Sequence, residues 1–205
     1  MSESGSSDEE CVGLLKKAID VELPANFNPN SVPQNGEEYL HHVNTKRVAP
    51  DYCLPTKEWQ DNKIEDFTDF RKYVHSKITS EPTVTSFNEE CFIEKVRNEI
   101  PVFSQVTQYS QASKIRMLQI IAKYLEALSP GESIEDNMGT WIYAILTLLE
   151  IPLSPSCCHT LREFAKKCAV LRSNLPNSVN ESLYTPLNLY ICLVARYFNQ
   201  LDLAD

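Results

Sequence analysis

The chain has 205 residues, 42% hydrophobic and 23% charged, enough apolar content for most of it to fold around a core. Its formal net charge is -9, with 19 Lys+Arg against 28 Asp+Glu, which argues against direct binding of nucleic acid and for a basic protein partner. None of its 5 glycines stands in a G-x-G-x-x-G or G-x-x-x-x-G-K pattern, which excludes the usual nucleotide-binding loops.

The acidity sits in the first half. Residues 1–100 carry 19 acidic and 11 basic side chains, a net of -8, and residues 101–205 carry 9 and 8, a net of -1. Residues 1–36 read as an extended or disordered acidic arm. They are polar, cut by Pro24, Pro29 and Pro33, and too poor in apolar surface to fold alone. Val12, Leu14, Leu15, Ile19, Val21, Leu23 and Phe27 are strung along the arm, a pattern that fits wrapping around a partner and fits a plain solubilising tail equally well. The first residues are serine-rich and acidic rather than apolar, and no apolar run reaches the ~20 residues that span a bilayer. The expectation is an intracellular protein, with no membrane partner and with reduced thiols.

Residues 37–80 are expected to hold two helices. The first, over 37–48, sets Tyr39, Leu40 and Val43 on one stripe and ends in Lys46 and Arg47, where the helix dipole favours cations. The second opens at Pro55 and runs to about Ile78, with proline in its first turn. Trp59, Phe67, Phe70, Val74 and Ile78 recur on it near the helical repeat, between Glu58, Asp61, Glu65, Asp66 and Asp69. The result is an aromatic stripe flanked by acid, beside an extended segment that offers little cover. Residues 81–86 read as a linker.

Residues 87–205 read as a compact helical domain. Its helices are expected over 87–99, over 110–128 with Ser110 as cap, and from a capping box at Ser133-Ile-Glu-Asp136 to Glu150. Another begins at Ser154-Pro155 and runs to about Arg172; after a polar loop over 175–183, the last begins at Thr185-Pro186 and runs to about Asn199. The fold class is all-α, a C-terminal bundle preceded by the arm and two helices. The last helix, with Leu187, Leu189, Tyr190, Ile191, Leu193, Val194 and Phe198, is apolar on every face, and a helix of that kind must be surrounded. The helices over 134–150 and 110–128 also have more than one apolar face. The surplus implies that another helix docks on the bundle, or that the N-terminal helices of the same chain cover it.

Chemistry finds little support. His41, His42, His75 and His159 are scattered, no serine or cysteine stands in a nucleophile motif, and no cofactor is implied. Among the 7 cysteines, Cys157, Cys158 and Cys168 with His159 have the composition of a zinc set. Three of the four are consecutive and would point in three directions from a helix, so small apolar filling is the better reading.

Several motifs resemble the SMN-interacting protein family, also called Gemin-two. They are Phe27-Asn-Pro-Asn-Ser-Val-Pro33 followed by Glu37-Glu-Tyr-Leu40, then Leu54-Pro-Thr-Lys-Glu-Trp59, Gly139-Thr-Trp-Ile-Tyr-Ala144 and Leu148-Leu-Glu-Ile-Pro-Leu153. The run from Leu187 to Phe198 and the closing Asp202-Leu-Ala-Asp205 complete the series, in family order over roughly residues 20–205. The resemblance implies a non-enzymatic assembly chaperone of the SMN complex in cytoplasm and nucleus. Such a protein holds an open Sm protein pentamer and binds the SMN N-terminal helix during spliceosomal snRNP assembly. Phe27, Tyr39, Leu40, Val43, Trp59, Phe67 and Phe70 would then meet the Sm ring. Trp141, Ile145, Cys192 and Tyr197 would line the SMN groove, between the Trp141 helix and the last helix. Glu9, Glu10, Asp20 and Glu22 would carry the arm's acidity towards the RNA channel of the ring. Two departures stand out. Residues 49–54 are shorter than the insertion carried by longer family members, and Thr140 stands where animal relatives often have Arg, so that an ion pair of that Arg to the SMN helix is absent or rebuilt here. The alternative function is a helical scaffold of an unrelated complex.

Overall fold

In the computed structural model the described residues are 35–36, 54–176 and 180–204. Residues 46–205 form one unit; of residues 1–45, only Asn35 and Gly36 are described. The expected helix over 37–48 and the arm up to residue 34 therefore lie outside the described residues, with Glu9, Glu10, Asp20, Glu22, Phe27, Tyr39, Leu40 and Val43. Among the described residues there are seven α-helices and no strand beyond an isolated bridge.

Helix α1 (Lys57–Ser76) starts where Thr56 Oγ1 accepts from Trp59 N–H at 3.2 Å, with Glu58 in its first turn. It buries Gln60, Phe67, Arg71 and Val74, one stripe of the helix. Helix α2 (Phe92–Asn98) is shorter than expected, because the Asn88 side chain accepts from the Glu90 and Cys91 N–H groups and holds the preceding residues in a turn. Residues 81–86 are more than a spacer: Thr83 and Val84 N–H donate to Gln108 O at 3.0 and 2.8 Å, and Ser110 N–H donates to Val84 O at 2.8 Å. Pro101 precedes α3 (Phe103–Val106), a single turn whose four residues are too few to show a period in sequence.

Helix α4 (Gln111–Glu126) is capped by Ser110 as expected. Helix α5 (Asp136–Leu148) is not started by a capping box. Ser133 Oγ donates instead to Leu183 O at 2.5 Å, and the Glu135 carboxylate turns to Arg97 at 2.9 and 3.0 Å. Helix α6 (Pro155–Ser173) has Ser154 as cap and proline in its first turn. It turns Cys157 and Cys168 inward and leaves His159 exposed. Burial pushes the Cys157 thiol up to about 11, as suits apolar filling rather than a reactive thiolate. Helix α7 (Glu181–Cys192) begins a turn earlier than expected, because Asn180 caps it and Pro186 is carried inside. Its end widens into a π-helical turn over Leu193–Tyr197, and Asn199, at φ 58°, ends it. The chain closes with a 3-10 turn, Leu201–Leu203, tied back by Arg162 to both carboxylate oxygens of Asp202 at 2.7 and 2.5 Å.

The bundle is built on two packings. Helix α6 lies against α4 and α7, and α5 touches α1, α2, α3 and α4. Met117, Leu118, Ile121, Ile142, Leu146, Leu161, Phe164, Leu187 and Val194 are among the residues that fill the core. Each large aliphatic side chain so buried contributes about 1.5–3 kcal/mol by transfer from water. The sequence expectation that the α1 stripe has little cover is corrected here. Phe67 is 0% exposed, edge-on to Tyr143, Tyr197 and Phe198 at centroid distances of 5.3, 4.8 and 6.2 Å. Helix α1 is therefore part of the bundle and covers a share of its apolar surplus.

Candidate helix-docking site

Helix α5 divides its surroundings by face. Trp141 is 1% exposed; its Nε1 donates to Glu99 O at 2.8 Å, Phe92 meets its ring edge-on, and the Lys95 ammonium lies 5.7 Å from the ring centroid. Ile145 is buried in the same core. Cys192 is buried too, its Sγ 3.8 Å from Gln60 O. Trp141, Ile145 and Cys192, assigned from sequence to the SMN groove, are thus corrected to core positions, covered by their own chain. Tyr197 is half-buried, beside Phe67 and with the Arg71 guanidinium 5.9 Å from its ring centroid. Of the residues assigned to the Sm ring, Phe67 is likewise core, Trp59 is half-buried, and Phe70 is 44% exposed.

The opposite arc of α5 carries Gly139, Thr140, Tyr143 and Ala144, and its own chain leaves these partly uncovered. Two grooves meet on this arc. One, of about 210 Å3, lies between α1, α3 and α5 and is lined by Phe70, Val74, Phe103, Val106, Tyr143 and Ala144, among others. The other, of about 450 Å3, lies between α5 and α7, with Asp136, Gly139, Thr140, Tyr143, Pro186 and Leu189 among its liners. Thr140 and Tyr143 belong to both. Thr140 Oγ1 donates to Asp136 O at 2.9 Å and Thr147 Oγ1 to Tyr143 O at 2.8 Å, so these hydroxyls are satisfied within the helix. The wall of the second groove is set by Tyr190, whose hydroxyl donates to Gly139 O at 2.8 Å. A Cβ at position 139 would stand 3.2 Å from that hydroxyl, which explains glycine inside a helix. Apart from Glu135 and Asp136 in the second groove, the liners are mostly apolar, a make-up that suits the apolar stripe of a helix.

The C-terminal end of α5 is closed. Arg71 Nη1 donates to Leu146 O at 3.0 Å and to Thr147 O at 2.7 Å, and Nη2 donates to Leu149 O. Lys114 Nζ donates to Leu148 O at 3.1 Å, and His75 Nε2 lies 3.0 Å from Thr147 O. These are the carbonyls that a helix end leaves without intrahelical partners, and cations there also complement the helix dipole. Burial lowers the pKa of both Arg71 and Lys114, and Glu150 opposes the shift at Lys114.

On the outside of α1, Glu58, Asp61, Glu65, Asp66 and Asp69 are all exposed, next to the exposed rings of Phe70 and Tyr73. Among the described residues no three His, Cys, Asp or Glu side chains are grouped to hold a metal ion, and no helix is long and apolar enough to cross a membrane.

Of the groove liners, sequence reasoning singled out Thr140 but passed over Tyr143, Ala144, Pro186 and Leu189, because the largest apolar residues drew attention. The available signal was the opposite one. On a helix rich in apolar residues, the arc of smaller and more polar side chains is the outward one, and Gly139, Thr140, Tyr143 and Ala144 form that arc.

The sequence matches the family described as Survival motor neuron (SMN) interacting protein 1 (SIP1) over residues 43–201. It is 28% identical to Gem-associated protein 2 of Drosophila melanogaster over 233 residues, covering 92% of this chain and 94% of that protein. It is 24% identical to Gem-associated protein 2 of Xenopus laevis over 249 residues, covering 90% and 94%. The fold resembles a chain of the solved structure "The 8S snRNP Assembly Intermediate", with a TM-score of 0.64 and 26% identity over 83% of this chain and 98% of that one. A match that runs through the whole bundle, grooves included, places this chain in the SMN-interacting protein 1 family.

Proposed function

We propose that this chain is a non-enzymatic chaperone subunit in snRNP assembly, working in cytoplasm and nucleus. It holds an open Sm protein pentamer and takes up an amphipathic helix of an SMN-type protein in the paired grooves around Thr140 and Tyr143. The observation that carries the reading is the arc of α5 left uncovered in a member of a family described by its interaction with SMN. The fold likeness to a chain of an snRNP assembly intermediate supports the same process. The exposed acid of α1 beside Phe70 and Tyr73 suits a basic protein surface such as a ring built around RNA. Tyr39, Leu40, Val43 and Phe27 complete the ring contact, with Trp59 at its margin. Glu9, Glu10, Asp20 and Glu22 oppose RNA entry into the ring.

The test is a binding titration of the full chain with the N-terminal helix of the SMN-type protein from the same organism, and separately with a purified Sm pentamer. Both should bind. Replacing Tyr39 and Leu40 with Ser should weaken the pentamer and leave the helix untouched, and deleting residues 1–26 should tighten uridine-rich RNA on the loaded pentamer at fixed salt. A chain that binds neither partner is a scaffold of some other complex.

A further inference from the structure

The charges around the two grooves are of one sign. Glu135 and Asp136 are the charged residues among their liners, and no Lys or Arg stands with them. Glu135 is engaged by Arg97 through both carboxylate oxygens. Asp136, in the first turn of α5 and one turn before Thr140, is exposed, and its carboxylate has no partner among the described residues. The cation beside Glu135, Arg97, is engaged by it, and on α1 Lys72 is paired with Asp69 and Lys77 lies over the Tyr73 ring at 5.3 Å. Across the grooves, Asp66 of α1 lies close enough to Tyr143 to add to the rise that burial gives its phenol.

We infer that the helix received at Thr140 and Tyr143 is cationic along one edge, with Lys or Arg set against Asp136. This rests on the docking reading above and adds the chemistry of the partner. A helix seated in these grooves displaces water from the arc of α5, and the field of an unpaired carboxylate strengthens as water leaves. An acidic edge there meets Asp136 with no cation to relieve it. A basic edge gives Asp136 its counter-charge. Thr140 adds no charge of its own, since its hydroxyl is turned to Asp136 O. A carboxylate at a helix N-terminus also steadies the helix by itself. That purely structural role predicts a change in melting temperature on mutation and no change in which partner charge is preferred.

The experiment uses the full chain and two synthetic amphipathic helices with the same Leu/Ile stripe, one flanked along one edge by Lys and the other by Glu. Calorimetric titration should give the Lys-flanked helix roughly threefold to tenfold tighter binding at low salt, shrinking as salt is added. The preference should vanish in Asp136→Asn and reverse in Asp136→Lys, with melting temperatures recorded for both. Equal affinities, tighter binding of the Glu-flanked helix, or a Lys preference that survives Asp136→Asn would overturn the inference. If the SMN-type helix binds the native chain and binds Asp136→Lys as well or better, the docking reading stands and the basic edge does not. If no helix binds at all, both go.

Discussion

The two ends of α5 differ in what covers them. Towards its C-terminus, Thr147 is buried, and α1 lays Arg71 and His75 over the last carbonyls while Lys114 reaches in from α4. One turn and more towards the N-terminus, Thr140 is exposed and Tyr143 and Ala144 are half-covered. Helix periodicity runs through both ends unchanged, so apolar pattern alone does not separate them. The separation comes from a neighbour: α1 crosses the C-terminal half, satisfies its orphan carbonyls, and leaves the other half open. The apolar surplus of the bundle is thus divided between a part covered by a helix of the same chain and a part left open along two grooves.

The largest expected effect lies on the inward face, where nothing is left for a partner. Trp141→Ala removes a fully enclosed ring together with its hydrogen bond to Glu99 O, and should cost about 3–5 kcal/mol in urea denaturation. Stability close to native would mean that the core closes over the space the ring leaves and that the inward face tolerates its loss.

Next comes the closed end. Arg71→Met keeps much of the side-chain volume and takes a donor from the carbonyls of Leu146, Thr147 and Leu149; Leu146 O keeps Leu149 N–H and Thr147 O keeps His75 Nε2. The loss of three charge-assisted hydrogen bonds, with Leu149 O left without a donor, is the reason for a loss of about 2–3 kcal/mol by the same measurement. Arg71→Lys should recover only part of it, because a compact ammonium lacks the fork that spans three oxygens. A Met variant as stable as the native chain would show that α1 is held by Phe67 and Val74 alone.

Much of this architecture was legible in the sequence. Ser110 and Ser154 mark helix starts by their side-chain oxygens, and Ser129-Pro130-Gly131 marks a turn whose glycine has φ 92°. The motif from Gly139 to Ala144 lies on α5, and a groove does run between α5 and α7, the pair of helices singled out from the sequence. The liners were not legible, because Trp141 and Ile145 differ from Tyr143 and Ala144 only in which neighbour they meet. The role of Arg71 was hidden for a related reason. A charged residue amid the acids of α1 reads as part of a solvated back, and its carbonyl partners lie more than 70 residues away in sequence. Asn180 and Pro186 misled the start of α7, since a cap without an apolar period behind it looks like a loop.

A smaller effect tests the closing turn, which lies away from both ends of α5. The bidentate bond from Arg162 holds the Asp202 carboxyl below its ordinary value of 3.8. Its contribution to stability is therefore present above about pH 3.8 and is lost as pH falls through the lowered native value. Both side chains are substantially exposed, so screening limits the term to no more than about 1 kcal/mol. Asp202→Asn should lower stability at neutral pH by that much and flatten the acid limb of the stability profile. It should leave helix binding unchanged, because the turn is remote in contact from α5.

The smallest effect on the fold should come from the open arc, and there it sharpens the contrast most. Ala144 is half-buried on the wall of the α1–α3–α5 groove. Ala144→Gln extends a side chain into a space of about 210 Å3 without displacing core atoms. Glutamine is only slightly poorer than alanine in a helix, so urea denaturation should move by no more than about 0.5 kcal/mol. A helix seated against Ala144 must shift to make room or leave a polar amide under its apolar stripe. Affinity for the SMN-type helix should fall about tenfold, which is ~1.4 kcal/mol, while pentamer binding stays as it was. Ala112→Gln is the control, an exposed position on α4 that lines neither groove. Equal loss in both variants would point to a general effect on the bundle. No loss in Ala144→Gln would move the docked helix to the α5–α7 side alone, where Leu189 and Pro186, and not Phe70, would be its neighbours.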